Sequence, residues 1–266
     1  MRKILLIVLA CGLLASAGLA DHSWGNYHWA RTTSSFDLIV VNSTTSDWDG
    51  YVADAIGDWS QSQKLNMIED PNGDTSSKTR RQCNAPAGQI RICNLGYGQN
   101  GWLGIAGISI DTNGHIVSGY TKLNDTYFAF DYYNNDQWKQ SVTCQELGHN
   151  VGLDHQDEDF NNTSLQSCMD YQDPPWPIPN GHDYDQLVAI YGHTDSYNSY
   201  SGGSSGGGGD GGCNAPPGKG CNKNTGSNGD IGWGMSLGRR GQVETFIRID
   251  HDGTRHLTFV TWAIGH

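Results

Sequence analysis

Apolar and polar positions change period several times along the chain, and each change marks an element. Residues 36–41 (FDLIVV) form a short apolar run rich in branched side chains, which reads as a buried strand. Residues 46–60 switch to helical spacing, with Trp48, Val52, Ala55 and Trp59 on one side and Ser46 and Asp49 in capping-box register. Residues 61–88 are polar, rich in turn formers, and read as loop. A short strand at 89–93 precedes two longer ones, 102–110 and 115–123, joined at Thr112-Asn113-Gly114 in a hairpin. After a polar loop at 124–136, helical spacing returns over 137–150, where Trp138, Val142, Gln145 and His149 share a side. Residues 156–180 are aperiodic and carry Pro174, Pro175, Pro177 and Pro179, so they form a long loop. A last helix spans 183–191, its apolar face made by Leu187, Ile190 and Tyr191.

The run SGGSSGGGGDGG at 201–212 reads as a flexible linker. Beyond it, residues 242–249 alternate, Asp252-Gly253 turns the chain, and 255–262 answer as a second strand, with a third near 233–237. Two or three strands alone are marginally stable. This tail therefore needs a covalent brace or must pack on the body. The predicted organisation is a signal peptide at 1–20, a body at 21–200, the linker, and a small β tail at 213–266.

The first twenty residues join a basic start (Arg2, Lys3) to an apolar run and small residues before Ala20, the layout of a secretory signal peptide. Its loss removes two bases and takes the formal charge from −12 to −14. Such acidity argues against nucleic acid and anionic membranes as partners. No later stretch is apolar enough to cross a bilayer. The protein is read as secreted and monomeric. Beyond Cys11, six cysteines remain, and an even number in an exported chain implies disulfides. The simplest pairing joins neighbours: Cys83 to Cys93, Cys144 to Cys168, Cys213 to Cys221.

The chemistry lies in residues 145–155, QELGHNVGLDH. Glu146, His149, Gly152 and His155 fall in the register of the zinc-protease pattern H-E-x-x-H-x-x-G-x-x-H, with Gln145 where the pattern has its first histidine. Positions i and i+4 share a helix face, so Gln145 and His149 point the same way. A glycine at 152 lets the chain leave the helix and bring His155 back. Farther on, Met169 is followed two residues later by Tyr171. Together these residues resemble the metzincin superfamily of secreted metallopeptidases, with a matrixin-like character, over roughly residues 28–193. The resemblance implies an α+β catalytic domain: a mixed twisted sheet, an active-site helix and a C-terminal helix. It implies one catalytic zinc held by Gln145, His149 and His155, with Glu146 as general base and Met169 in a Met-turn beneath the metal. Tyr171 stands where some metzincins place a further ligand.

Gln145 leaves three arrangements open: it binds through its carbonyl oxygen, Tyr171 completes the site with Gln145 behind it, or the metal is lost. The first two describe a zinc endopeptidase acting on protein or peptide substrates. The third describes an inactive, protease-like binding protein. Trp176 and Ile178, in the proline loop, are candidates for the wall of a substrate pocket. The strand at 102–110 is a candidate edge for an extended peptide. Asp70-Pro71-Asn72-Gly73-Asp74 has oxygen ligands suited to Ca2+ but lacks the later glutamate of a calcium loop, and reads as a turn. His193 reads as a helix cap, and His28 carries no motif.

Overall fold

The structure is a computed structural model that describes residues 22–200 and 232–265. The signal peptide, the linker and the Cys213–Cys221 pairing lie outside the described residues. The elements are β1 (His28–Trp29), β2 (Phe36–Asn42), α1 (Asp49–Trp59), β3 (Leu65–Asp70), α2 (Ser77–Gln82), β4 (Ile90–Leu95), β5 (Trp102–Ile110), β6 (His115–Asn124), α3 (Asp125–Phe128), α4 (Asp136–His149), α5 (Gly181–Ile190), β7 (Met235–Arg240), β8 (Val243–Ile249) and β9 (Arg255–Trp262).

One mixed sheet runs β3-β2-β4-β6-β5-β9-β8-β7, with β1 paired to β6 off this path. Strands β3, β2, β4 and β6 are mutually parallel. From β6 through β5, β9, β8 and β7 every pairing is antiparallel. Helices α1 and α4 pack against each other and, with the N-terminal segment, close the larger core. Trp48, Trp59 and Trp138 are buried in that core, as their helical spacing predicts. A smaller apolar cluster on β5, β8 and β9 collects Trp102, Ile105, Trp233, Phe246 and Val260. Among the described residues no helix is long and apolar enough to cross a membrane.

Two expectations need correction. Residues 61–88 are not all loop. Leu65–Asp70 pairs in parallel with β2, and Ser77–Gln82 is a short helix. Within LNMIED only Leu65 and Met67 face inward, so the alternation is short and half polar. The capping box at Ser46 does not form. Ser46–Trp48 is a 3-10 turn, and α1 begins only at Asp49 without a side-chain cap. Asn94 of β4 takes over there, accepting from Thr45 N at 2.7 Å and donating to Thr45 Oγ1 at 2.9 Å. Of the two alternatives left open for the tail, it packs on the body. From Ile110↔Arg255 to Trp102↔Trp262, β9 pairs with β5 and extends the sheet of the body. A hairpin with one apolar face gains more by joining that exposed edge than by standing alone.

Among the described residues two disulfides are present, Cys83–Cys93 and Cys144–Cys168. The second ties α4 to the loop that carries Met169.

Candidate metal centre

Helix α4 starts at Asn135, whose side chain accepts from Trp138 N. Every residue from Gln140 to His149 is buried, so its second half runs through the core rather than along its surface. Two close approaches fix this end. A Cβ on Gly148 would stand 2.7 Å from Met169 Sδ, so Met169 packs directly against the last turn. Gly152 has φ +94°, and a Cβ there would stand 2.3 Å from the Tyr27 carbonyl oxygen. Only glycine satisfies both demands at 152. The N-terminal segment runs beside this bend, with Trp24 N donating to Gly152 O at 2.8 Å and Asp154 N to His22 O at 2.6 Å.

The bend carries His155 back to His149. Their ring centroids are 4.6 Å apart and nearly perpendicular, at 81°. His149 Nδ1 lies 2.9 Å from the Leu153 carbonyl oxygen. A carbonyl only accepts, so Nδ1 carries the proton and Nε2 of the neutral ring keeps its lone pair. His149 Nε2, His155 Nε2 and Glu146 Oε2 are all buried without a hydrogen-bond partner. Burial lowers the pKa of His149 from 6.5 to about 4 and holds that of His155 well below 6.5. Both rings are therefore neutral near pH 7. Burial raises the Glu146 carboxyl from 4.5 to about 8, against a hydrogen bond from Thr261 that favours the ionised form. A neutral His149 with a free, dry Nε2 lone pair, next to His155 and a carboxyl group, is compatible with a zinc ion. Gln145 spends its amide nitrogen on Thr261, which leaves its carbonyl oxygen as the donor it can offer a metal.

Strand β9 covers this centre. Along it Leu257 and Phe259 face the larger core while Val260 faces the smaller cluster, and Thr261 falls on the α4 side with Phe259. Phe259 stacks on His149, with centroids 4.4 Å apart and planes 11° from parallel. Thr261 Oγ1 donates to Glu146 Oε1 at 2.6 Å and accepts from Gln145 Nε2 at 2.8 Å. Trp24 packs edge-on toward His149 and against Phe259. The turn between β7 and β8 reaches Tyr171, since a Cβ on Gly241 would stand 2.8 Å from its ring.

Tyr171 is buried with its hydroxyl 3.4 Å from His155 Nδ1, on the ring edge away from Nε2. Its phenol pKa is raised far above 10, by burial first and then by nearby carboxylates. Asp154 Oδ1 and Glu158 Oε1 lie near the same His155 Nδ1, at 3.5 and 3.9 Å. Ile178 is 42% exposed and Trp176 half-buried. The rings that pack on the two histidines come from Tyr171, Trp24 and Phe259. Sequence reasoning missed Trp24, Phe259 and Thr261, and also Gly104. A Cβ on Gly104 would stand 2.6 Å from Glu146 Oε1, so glycine lets β5 approach the carboxyl. The alternation of 255–262 was legible, but nothing in it names the strand it pairs with.

No family model matches the chain, and no curated protein matches it. Sixteen chains of solved structures do match. One, a structure of myroilysin, shares 13% identity, covers 63% of this chain and 96% of that chain, and superposes with a TM-score of 0.34. A superposition that loose carries no argument about activity.

Proposed function

We propose that this protein is a secreted zinc-dependent endopeptidase kept latent by its own C-terminal strand. The observation that carries the reading is the set of three buried, partnerless atoms, His149 Nε2, His155 Nε2 and Glu146 Oε2, at one end of one helix. Leaving such atoms dry and unpaired costs roughly 1–3 kcal/mol each unless a ligand satisfies them. His149, His155 and the carbonyl oxygen of Gln145 hold the ion in this reading. When bound, zinc polarises a scissile carbonyl and acidifies water. Glu146 takes the proton from the attacking water and returns it to the leaving amine as the C–N bond breaks. The matrixin-like alignment of Glu146, His149, Gly152, His155 and Met169 belongs to this proposal, as does export into a disulfide-forming compartment.

Latency follows from β9. An extended peptide adds to a sheet edge through backbone hydrogen bonds. The edge next to Glu146 is β5, and β9 lies on it over its whole length. Thr261 and Phe259 occupy the space a substrate would need. The substrate is an extended segment of a protein, bound antiparallel to β5 once β9 has moved aside.

A second reading has its own observation. Gln145, Thr261 and Glu146 form a buried hydrogen-bonded chain, as in a structural core, which suits an inactive, protease-like binding protein. One experiment separates the two. The Phe259→Ala/Thr261→Val double variant, supplied with zinc, should hydrolyse casein at least tenfold faster than the parent, and adding Glu146→Gln should abolish the gain. No hydrolysis by a folded double variant would leave the binding-protein reading standing.

A further inference from the structure

We infer that His28, His193 and Asp195, with His115 alongside Asp195, form a second metal site, structural in role and suited to zinc. It lies apart from the Glu146 centre and does not rest on the protease reading. Three separate segments meet there. The parallel register of β1 on β6 sets His28 opposite His115. Past α5 the chain brings in His193 and then Asp195, whose backbone N donates to Arg31 O at 2.7 Å.

The distances match a tetrahedral ion. Asp195 Oδ1 lies 3.5 Å from His28 Nε2, 3.4 Å from His115 Nε2 and 3.6 Å from His193 Nε2. The Nε2 atoms of His28 and His193 are 3.1 Å apart. Ligands 2.0–2.1 Å from a tetrahedral zinc stand about 3.3 Å from one another. Asp195 Oδ1 and the Nε2 atoms of His28 and His193 thus stand at the edge lengths such a shell requires, with His115 alongside Asp195 rather than in the shell.

The surrounding hydrogen bonds aim lone pairs at the centre. His28 Nδ1 donates to the Asn26 carbonyl at 2.8 Å. Tyr197 gives its hydroxyl proton to Asp111, so its oxygen accepts from His115 Nδ1 at 2.7 Å. In neutral rings this places a lone pair on Nε2 of both His28 and His115. Asp195 Oδ2 accepts from Arg31 N at 2.9 Å, which leaves Oδ1 for the centre. Acceptors converging on one point repel each other unless a cation lies between them. His28, His115 and Asp195 have side chains only 10–14% exposed, while His193 is 55% exposed and leaves a path for entry. An ion there would pin the N-terminal strand and the segment after α5 to one another.

Zinc binding to the full-length chain tests this. The His149→Ala/His155→Ala variant isolates the second site and should still retain one zinc per chain after dialysis. Adding His193→Ala should weaken that zinc at least 100-fold, and adding Tyr197→Phe about tenfold, the scale of outer-shell losses. Zinc should raise the Tm of the first variant and leave that of the His193→Ala form unchanged. If removing the two buried histidines prevents folding, the parent against His193→Ala makes the same comparison, with a difference of one zinc per chain expected. A folded chain that binds equal zinc with and without His193 overturns the inference.

Discussion

At the scale of single residues, the Glu146 carboxyl is governed by what lies above it. In the folded chain its pKa is raised from 4.5 to about 8 by burial. A carboxyl raised in this way stabilises the fold fully below about pH 4.5, and that contribution drains away as pH climbs toward 8, because the unfolded chain gives up the proton first. In metal-free protein the Tm of the parent should therefore drop more between pH 5 and 8 than that of Glu146→Gln, which cannot titrate. Parallel pH profiles that coincide would mean the carboxyl is not dry. The spacing of Glu146, His149, Gly152 and His155 was legible because a helix followed by a glycine bend converts sequence offsets directly into proximity. Thr261 was not, since it meets Glu146 across 115 positions and through a pairing that its own segment does not encode.

At the scale of elements, α4 is held from below as well as above. The Cys144–Cys168 bond joins it to the loop bearing Met169, and Trp59 Nε1 donates to the Cys144 carbonyl at 2.9 Å. Replacing both cysteines by alanine should cost about 2–4 kcal/mol, read as a lowered urea midpoint. The three long helices were visible in the 3.6-residue period, each within about two residues of its observed start apart from the 3-10 turn before α1. Strand β3 and helix α2 were hidden for opposite reasons. β3 buries only two side chains, and α2 buries none, so neither writes a hydrophobic period into the chain.

At the scale of the whole molecule, the sheet is a parallel half and an antiparallel half meeting at β5 and β6. The mixed sheet with few helices was expected, whereas its continuation into β9, β8 and β7 was not. A glycine-rich stretch suggests separation, yet it permits a distant segment to return. If these three strands form a detachable cover, their amides should exchange with solvent together, at a free energy below that of β6 and α4. Hydrogen exchange followed by mass spectrometry reads this. Exchange of β9 only through global unfolding would show that the cover cannot lift from an intact body.

The order of the strands in the chain has a consequence for biogenesis. Synthesis runs from the N-terminus, so β5 is made well before β9, its outer neighbour in the sheet. Every newly made molecule thus passes through a stage with a bare, nine-residue, almost wholly buried-type strand facing outward. Naked edges of that kind recruit whatever strand is nearest. During that interval crowded nascent chains are competitors for the place the molecule reserves for itself, and slow arrival of the last strands favours mispairing between copies.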